Sequence, residues 1–268
     1  MKIYIIGCSG FLGKYISNKL SKKYIIKEIN LREIHNFNKG NYELFLNKFN
    51  EANLIINCAA SLKPKSKKDF FINQDFPKIL DDYIKKINNK CTIIHISTIN
   101  VLINDRKDPY SISKRIAEKK LINTNTIILR LPLLLDRKDG YIENSGSLSF
   151  FYKYLNLKFL PIYPMIFPGH TVELLEVNKI ANFIDTVLIN SNNSKKIYNL
   201  SNGNKVKLWD LFEEIANKNN KKIYKINFSK FTNIMPNFFI EFLKKKSNFL
   251  QQLVDIDNTK HLEEKTIL

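Results

Sequence analysis

Cysteine is nearly absent from this chain: three residues in 268, Cys8, Cys58 and Cys91, none at metal-ligand spacing. So small and odd a number excludes a disulfide framework and a structural zinc site. Each cysteine lies in or beside an apolar strand-like run, where a small buried filler fits. The four histidines, His35, His95, His170 and His261, are scattered without ligand spacing, so no metal is expected. His95 falls within a strand-like run and reads as a core residue, or as one standing behind a site; His170 lies where a substrate lobe would begin. No apolar run approaches the roughly 20 residues of a membrane-spanning helix. The amino-terminal MKIYIIGC passes from a short apolar run straight into a turn, unlike a signal peptide, and the expected location is the cytoplasm.

Acid is also in short supply, with 25 Asp and Glu against 43 Lys and Arg, a formal net charge of +18. Such a charge would fit nucleic acid or an anionic membrane. Yet Lys, Asn and Ile are abundant along the whole chain, which is a bias of composition and not a selected patch; no nucleic-acid partner is expected. The densest runs, KPKSKK at 63–68 and KKK at 244–246, read as solvated faces. The alternative for Lys63, Lys65 or Lys67 is contact with a phosphate-bearing substrate.

Glycine is scarce too, eight in all, but three of the eight fall within GCSGFLG at 7–13. This stretch follows the strand-like KIYII (2–6) and precedes a helical pattern at 11–22. Further strand candidates are YIIKEI (24–29), ANLIINCAA (52–60), CTIIHIS (91–97) and NTIILRL (125–131), rich in β-branched residues. Amphipathic stretches at 42–50, 73–87 and 110–122 separate them. This alternation predicts an α/β fold, a doubly wound parallel sheet of Rossmann type whose ligands bind beyond the carboxyl ends of the strands. After residue 132 the pattern loosens, apart from a helix at 177–190 and a strand at 196–201. The expected division is a dinucleotide-binding domain of 1–132 plus 176–202 and a smaller substrate-binding lobe of 133–175 plus 203–268. Tyr152, Tyr154, Tyr163 and the amphipathic segment 231–250 read as packing within that lobe.

In this context the glycines acquire separate duties. Gly7 ends the strand, Gly10 lets backbone approach a ligand, and Gly13 lets helix and sheet pack closely; the helix then aims its amino end at a pyrophosphate. At the end of the second strand, an acid would hold the ribose 2′-hydroxyl of NAD. The chain has Asn30 there, followed by Arg32, a pairing that favours the 2′-phosphate of NADP, with NAD the alternative.

Thr98 lies at the end of the strand run CTIIHIS. In DPYSISKRIAEK, Asp108 is a good helix N-cap and Pro109 suits the first turn, so Tyr110 and Lys114 share one helix face, a turn apart. A phenol normally titrates near pH ~10. A neighbouring ammonium and an oxidised nicotinamide would lower that value, letting Tyr110 exchange a proton with a substrate oxygen held by Thr98.

Taken together, GCSGFLG, IINCAAS, HISTINV, YSISK followed by AE, and LRLP resemble the extended branch of the short-chain dehydrogenase/reductases. That branch comprises NAD(P)-dependent nucleotide-sugar epimerases, dehydratases and reductases. HTVELLEVNKIANFI and DIDNTKHLEEKTI extend the resemblance almost end to end, and Asn73 matches a helix asparagine of the family. It implies phosphate contacts by Gly7, Ser9, Gly10, Phe11, Leu12 and Gly13, a cofactor wall at Ala59 and Ala60, and Pro132 near the nicotinamide. Asn41 stands where the family often has an acid near adenine. Thr98, Tyr110 and Lys114 take the catalytic roles, and dimerisation through the helices at 73–87 and around Tyr110 is implied. The chain departs from the family's sugar dehydratases in having Ile99 and Asn100 after Thr98, where those enzymes place two acids. The interval from Thr98 to Tyr110 is also short. The expectation is an NADP-dependent reductase of a nucleotide-linked sugar or similar anionic substrate. A nucleotide-sugar 4-epimerase using the same three residues and a non-catalytic dinucleotide-binding sensor or assembly subunit stay open.

Overall fold

The computed structural model describes residues 1–35, 42–87, 90–103, 106–138, 141–143, 148, 152, 162–165, 171–189, 196–203, 205–221, 224–227 and 266–267. Two compact units emerge, Met1–Leu131 with Val177–Leu200, and Pro132–Glu176 with Ser201–Ile267.

The first unit contains six parallel strands: β1 (Lys2–Ile6), β2 (Ile25–Ile29), β3 (Leu54–Asn57), β4 (Thr92–Thr98), β5 (Ile127–Leu131) and β6 (Ile197–Ser201). Their order is 2-1-3-4-5-6. Chain direction across the sheet therefore reverses between β1 and β3, where Ile6 pairs with Asn57. The crevice beyond that pair is where sheets of this type take ligands. Ile3, Ile5, Ile6, Ile55 and Ile56 are all fully buried, as strands covered on both faces require. Among the helices, α1 (Phe11–Leu20) packs with α7 (Val177–Phe183); α4 (Lys67–Gln74), α5 (Phe76–Ile87) and α6 (Pro109–Leu121) pack with one another. Short helices α2 (Leu31–His35) and α3 (Tyr42–Leu46) complete the unit. Tyr4, Ile6, Phe49, Ile55, Phe76 and Leu80 belong to one apolar core.

The element boundaries have local causes. Asp108 caps α6 by accepting from the Ser111 N–H at 2.9 Å, with Pro109 in the first turn. Ser66 and Asp69 form a reciprocal capping box that starts α4. The single helix expected over 73–87 is instead two, because Asp75 closes α4 and Phe76–Ile87 starts anew with Pro77 in its first turn. The helix expected over 177–190 is α-helical only to Phe183 and continues as a π-helical segment, Ile184–Ile189. Within that segment Asp185 accepts from Tyr24 Oη at 2.9 Å and pairs with Lys23, side chains that follow α1.

The second unit is built from small sheets. Strands Leu133–Leu135, Thr171–Glu176 and Lys205–Lys207 form one, Ile162–Met165 pairs with Tyr224–Asn227, and Arg137–Lys138 pairs with Tyr141–Ile142. Helix Leu208–Lys218 contributes Trp209, Phe212 and Ile215 to a core with Leu135, Tyr152 and Leu174. The Tyr152 hydroxyl donates to the Ile142 carbonyl, so this ring serves packing within the unit. Tyr154, His170, His261 and the segment 231–250 lie outside the described residues, as do the side chains of His35 and Tyr163. No helix among the described residues is long and apolar enough to cross a membrane.

Candidate active site

The glycine turn joins β1 to α1. Gly7 has φ +82°, in the left-handed region, and a Cβ there would lie 2.8 Å from the Ala59 nitrogen. A Cβ on Gly13 would lie 2.3 Å from the Gly7 carbonyl oxygen, so only glycine lets α1 sit this close to the turn. Gly10 is the N-cap of α1 and has no side chain to cap the amides of its first turn. Ser9 and Gly10 are exposed, Phe11 is half-buried and Leu12 is buried in the core. A helix amino end that follows a turn with glycine at 7, 10 and 13 is a fitting seat for a pyrophosphate. Ala59 and Ala60 line the facing segment after β3, with the Ala59 N–H donating to Asn57 Oδ1 at 3.1 Å.

At the tip of β2, Asn30 accepts from Cys8 Sγ at 3.6 Å, and its N–H donates to Glu33 at 2.9 Å. Glu33 also pairs with Lys48 at 2.6 Å, and Glu28 accepts from Ser17 of α1 at 2.5 Å. Both acids near the strand tip are thus engaged, whereas Arg32 is exposed. Asn41 lies outside the described residues. Pro132 is buried and follows the last residue of β5, where the second unit begins.

Thr98 ends β4, 7% exposed, and its Oγ1 accepts from the Asn100 N–H at 3.3 Å. Tyr110 occupies the first turn of α6 and is half-buried. Lys114, one turn further, is 1% exposed, and its Nζ donates to the Ile96 carbonyl of β4 at 2.8 Å, two residues before Thr98. Asn73 of α4 grips both sides of the site: it accepts from the Ser61 N–H, donates to the Ser61 carbonyl and donates to Ser113 Oγ, each at 2.9 Å.

The electrostatics of the site are those of the protein without a nicotinamide beside Tyr110. With no cofactor, its pKa is raised, first by burial and then by the Asp108 carboxylate, while Arg106 opposes. The phenol is therefore held protonated. Lys114 is lowered from 10.5 to about 8 by burial, against the raising effects of Cys58 and Glu118. Burial and the Lys114 charge hold His95 well below its usual value, so its imidazole is neutral. Burial pushes the Cys58 and Cys91 thiols up to about 12, which leaves them unreactive. No group of three or more potential metal ligands gathers among the described residues.

A polar row across four strands was not expected from the sequence. Asn57 contacts His95 Nδ1 at 3.4 Å, while Ser97, Arg130 and Asn199 stand in register on β4, β5 and β6. Glu118 of α6 closes the row, accepting from Ser97 Oγ at 2.5 Å and pairing with Arg130 at 2.6 Å. Two signals lay in the sequence: Glu118 stands four residues after Lys114, as Lys114 does after Tyr110, and it ends the AE that follows YSISK.

No protein-family model and no curated protein matches the sequence. Solved structures do match. A dTDP-4-dehydrorhamnose reductase from Clostridium acetobutylicum is 20% identical, with a TM-score of 0.66, covering 86% of this chain and 85% of that one. A dTDP-4-dehydrorhamnose reductase from Bacillus anthracis, in complex with NADP, is 17% identical, with a TM-score of 0.66 over 86% and 85%. The Bordetella bronchiseptica enzyme WbmG, in complex with NAD and UDP, is 17% identical, with a TM-score of 0.65 over 84% and 80%. The chain shares their fold. It is a Rossmann-type doubly wound architecture, carried over most of the length of each.

Proposed function

We propose that the protein is an NAD(P)-dependent oxidoreductase that reduces a keto group of a nucleotide-linked sugar or a similar anionic substrate. The observation that carries this reading is the Lys114 ammonium. It is buried at 1% exposure, held on the Ile96 carbonyl beside Thr98, and one helical turn from Tyr110. Burying a cation is expensive, and chemistry at the neighbouring phenol gives that expense a reason. The glycine turn fits a dinucleotide because Gly7 and Gly13 let the turn close against Ala59 and α1, while the exposed Gly10 begins α1 with no capping side chain of its own.

When bound there, NADPH supplies the hydride for the carbonyl carbon. The chain's own residues do the rest. The Thr98 hydroxyl oxygen already accepts from Asn100, so its proton is the part that can donate to the substrate oxygen and orient it. Tyr110 gives that oxygen a proton, and the raised phenol is in the acid form that reduction requires. Lys114 then offsets the phenolate charge until a solvent proton restores it. Asn30 in place of an acid, the engagement of Glu28 and Glu33, and the exposed Arg32 favour NADP over NAD. The substrate class draws on the dTDP-4-dehydrorhamnose reductases that share the fold.

The test is loss of NADPH absorbance with a panel of nucleotide 4-keto sugars, comparing wild type with Tyr110→Phe. Stoichiometric oxidation that falls about 10²–10⁴-fold in the variant is expected, with NADPH binding retained. Undiminished oxidation by Tyr110→Phe would overturn the reading, as would product formation without net loss of NADPH.

A further inference from the structure

Glu118 lies where a carboxylate needs a reason to be. It is 7% exposed on the buried face of α6, against the central strands β4 and β5. Four hydrogen-bond contacts hold it: Ser97 Oγ donates at 2.5 Å, Arg130 Nη2 at 2.6 Å, and Arg130 Nε at 3.0 and 3.2 Å to the two oxygens. Arg130 is itself steadied by Asn199 Oδ1 at 3.4 Å. A hydrophobic pair of similar volume would often serve stability as well or better than such a buried ion pair. Tyr110, Lys114 and Glu118 meanwhile recur at intervals of four, placing the three on one face of α6 in consecutive turns.

We infer that Glu118 is a positioning residue for the active site: its carboxylate, clamped by Ser97 and Arg130, keeps the buried Lys114 ammonium charged beneath Tyr110. This rests on the reading of Tyr110 and Lys114 given above and adds the group that makes the lysine usable. Among the described residues, Tyr110 stands one turn before Lys114 on α6, and Arg130 of β5 pairs with Glu118 at 2.6 Å. Glu118 approaches from α6, Cys58 from the segment after β3, and His95 from β4. The thiol is held up to about 12 and the imidazole is neutral, so neither supplies a negative charge at neutral pH. Glu118 is then the anion that opposes desolvation of the lysine, and it acts without touching the reacting atoms.

The experiment is an NMR titration of the full-length protein without cofactor or substrate, labelled with ¹³Cε-lysine. The Lys114 signal is assigned by its loss in Lys114→Met. In Glu118→Gln the Lys114 midpoint is expected to fall by about one pH unit, tenfold in proton affinity, while Glu118→Asp stays close to wild type. If Glu118→Gln fails to fold because Arg130 is left unpaired, the double variant Glu118→Gln/Arg130→Gln removes both buried charges, and a downward shift relative to Arg130→Gln alone is expected. An unchanged or raised midpoint in the folded variant overturns the inference. Because the titration needs no turnover, it separates failure of this inference from failure of the oxidoreductase reading, which Tyr110→Phe tests.

Discussion

Gly13 packs against Gly7 so closely that a Cβ on the helix residue would stand 2.3 Å from the carbonyl oxygen of the turn. The obstructing atoms are backbone and cannot swing aside. Gly13→Ala should therefore displace α1 from the turn, destabilise the fold by about 1–3 kcal/mol and weaken NADPH binding. Chemical denaturation and fluorescence titration of NADPH read the two effects; unaltered values for both would refute close packing here.

Arg32 gives the coenzyme prediction. Removing a guanidinium that pairs with the 2′-phosphate should weaken NADPH by about tenfold or more, the scale of one charge-assisted hydrogen bond, and leave NADH unaffected. Calorimetric titration of Arg32→Ala with both coenzymes measures the difference. Equal loss for both would place Arg32 outside the 2′-phosphate site.

Lys114 sets a pH dependence of stability whose sign is fixed by its pKa, lowered from 10.5 to about 8 in the folded chain. Between those values the unfolded chain holds the proton more tightly, so the lysine's contribution to stability rises with pH across the window. Below about 8 the penalty for its burial is fully present. Lys114→Met should accordingly stabilise the fold at pH ~7 by about 1–3 kcal/mol while turnover is lost. Urea unfolding at neutral pH and at pH ~10 checks it: the advantage of the variant should shrink at the higher pH.

Asn73 satisfies three partners at once, the Ser61 N–H, the Ser61 carbonyl and Ser113 Oγ. Truncation leaves these groups buried or half-buried without it. Asn73→Ala should lose about 2–4 kcal/mol of stability, and the segment following β3 should show faster amide exchange. A variant as stable as wild type would mean that water replaces the side chain without penalty.

Much of the site could be read from the chain alone, because its signals are local. The glycine pattern, the Asp108–Pro109 helix start and the four-residue step from Tyr110 to Lys114 each depend on neighbours within a turn or two. The alternation of strands and helices was legible for the same reason. The break between α4 and α5 escaped notice because Phe76, Pro77 and Leu80 continue the helical periodicity across Asp75; only the cap marks the interruption. Tyr110 was expected to be shifted down by its lysine together with an oxidised nicotinamide; in the cofactor-free chain, burial and Asp108 shift it up. Desolvation is a property of the assembled fold, and no spacing encodes it.

By itself, then, the sequence determined the alternation of strands and helices up to residue 131, where the backbone must be glycine, and that Tyr110 and Lys114 share a helix face after the strand ending at Thr98. Tertiary structure alone decided that Glu118, Arg130 and Asn199 meet, since Arg130 and Asn199 are joined across 69 residues. It likewise put the Lys114 ammonium on the Ile96 carbonyl, 18 residues away. Local propensity acts through the backbone over a turn or two. Contacts of this range are fixed by the register of parallel strands, which only collapse of the whole sheet onto its helices can set.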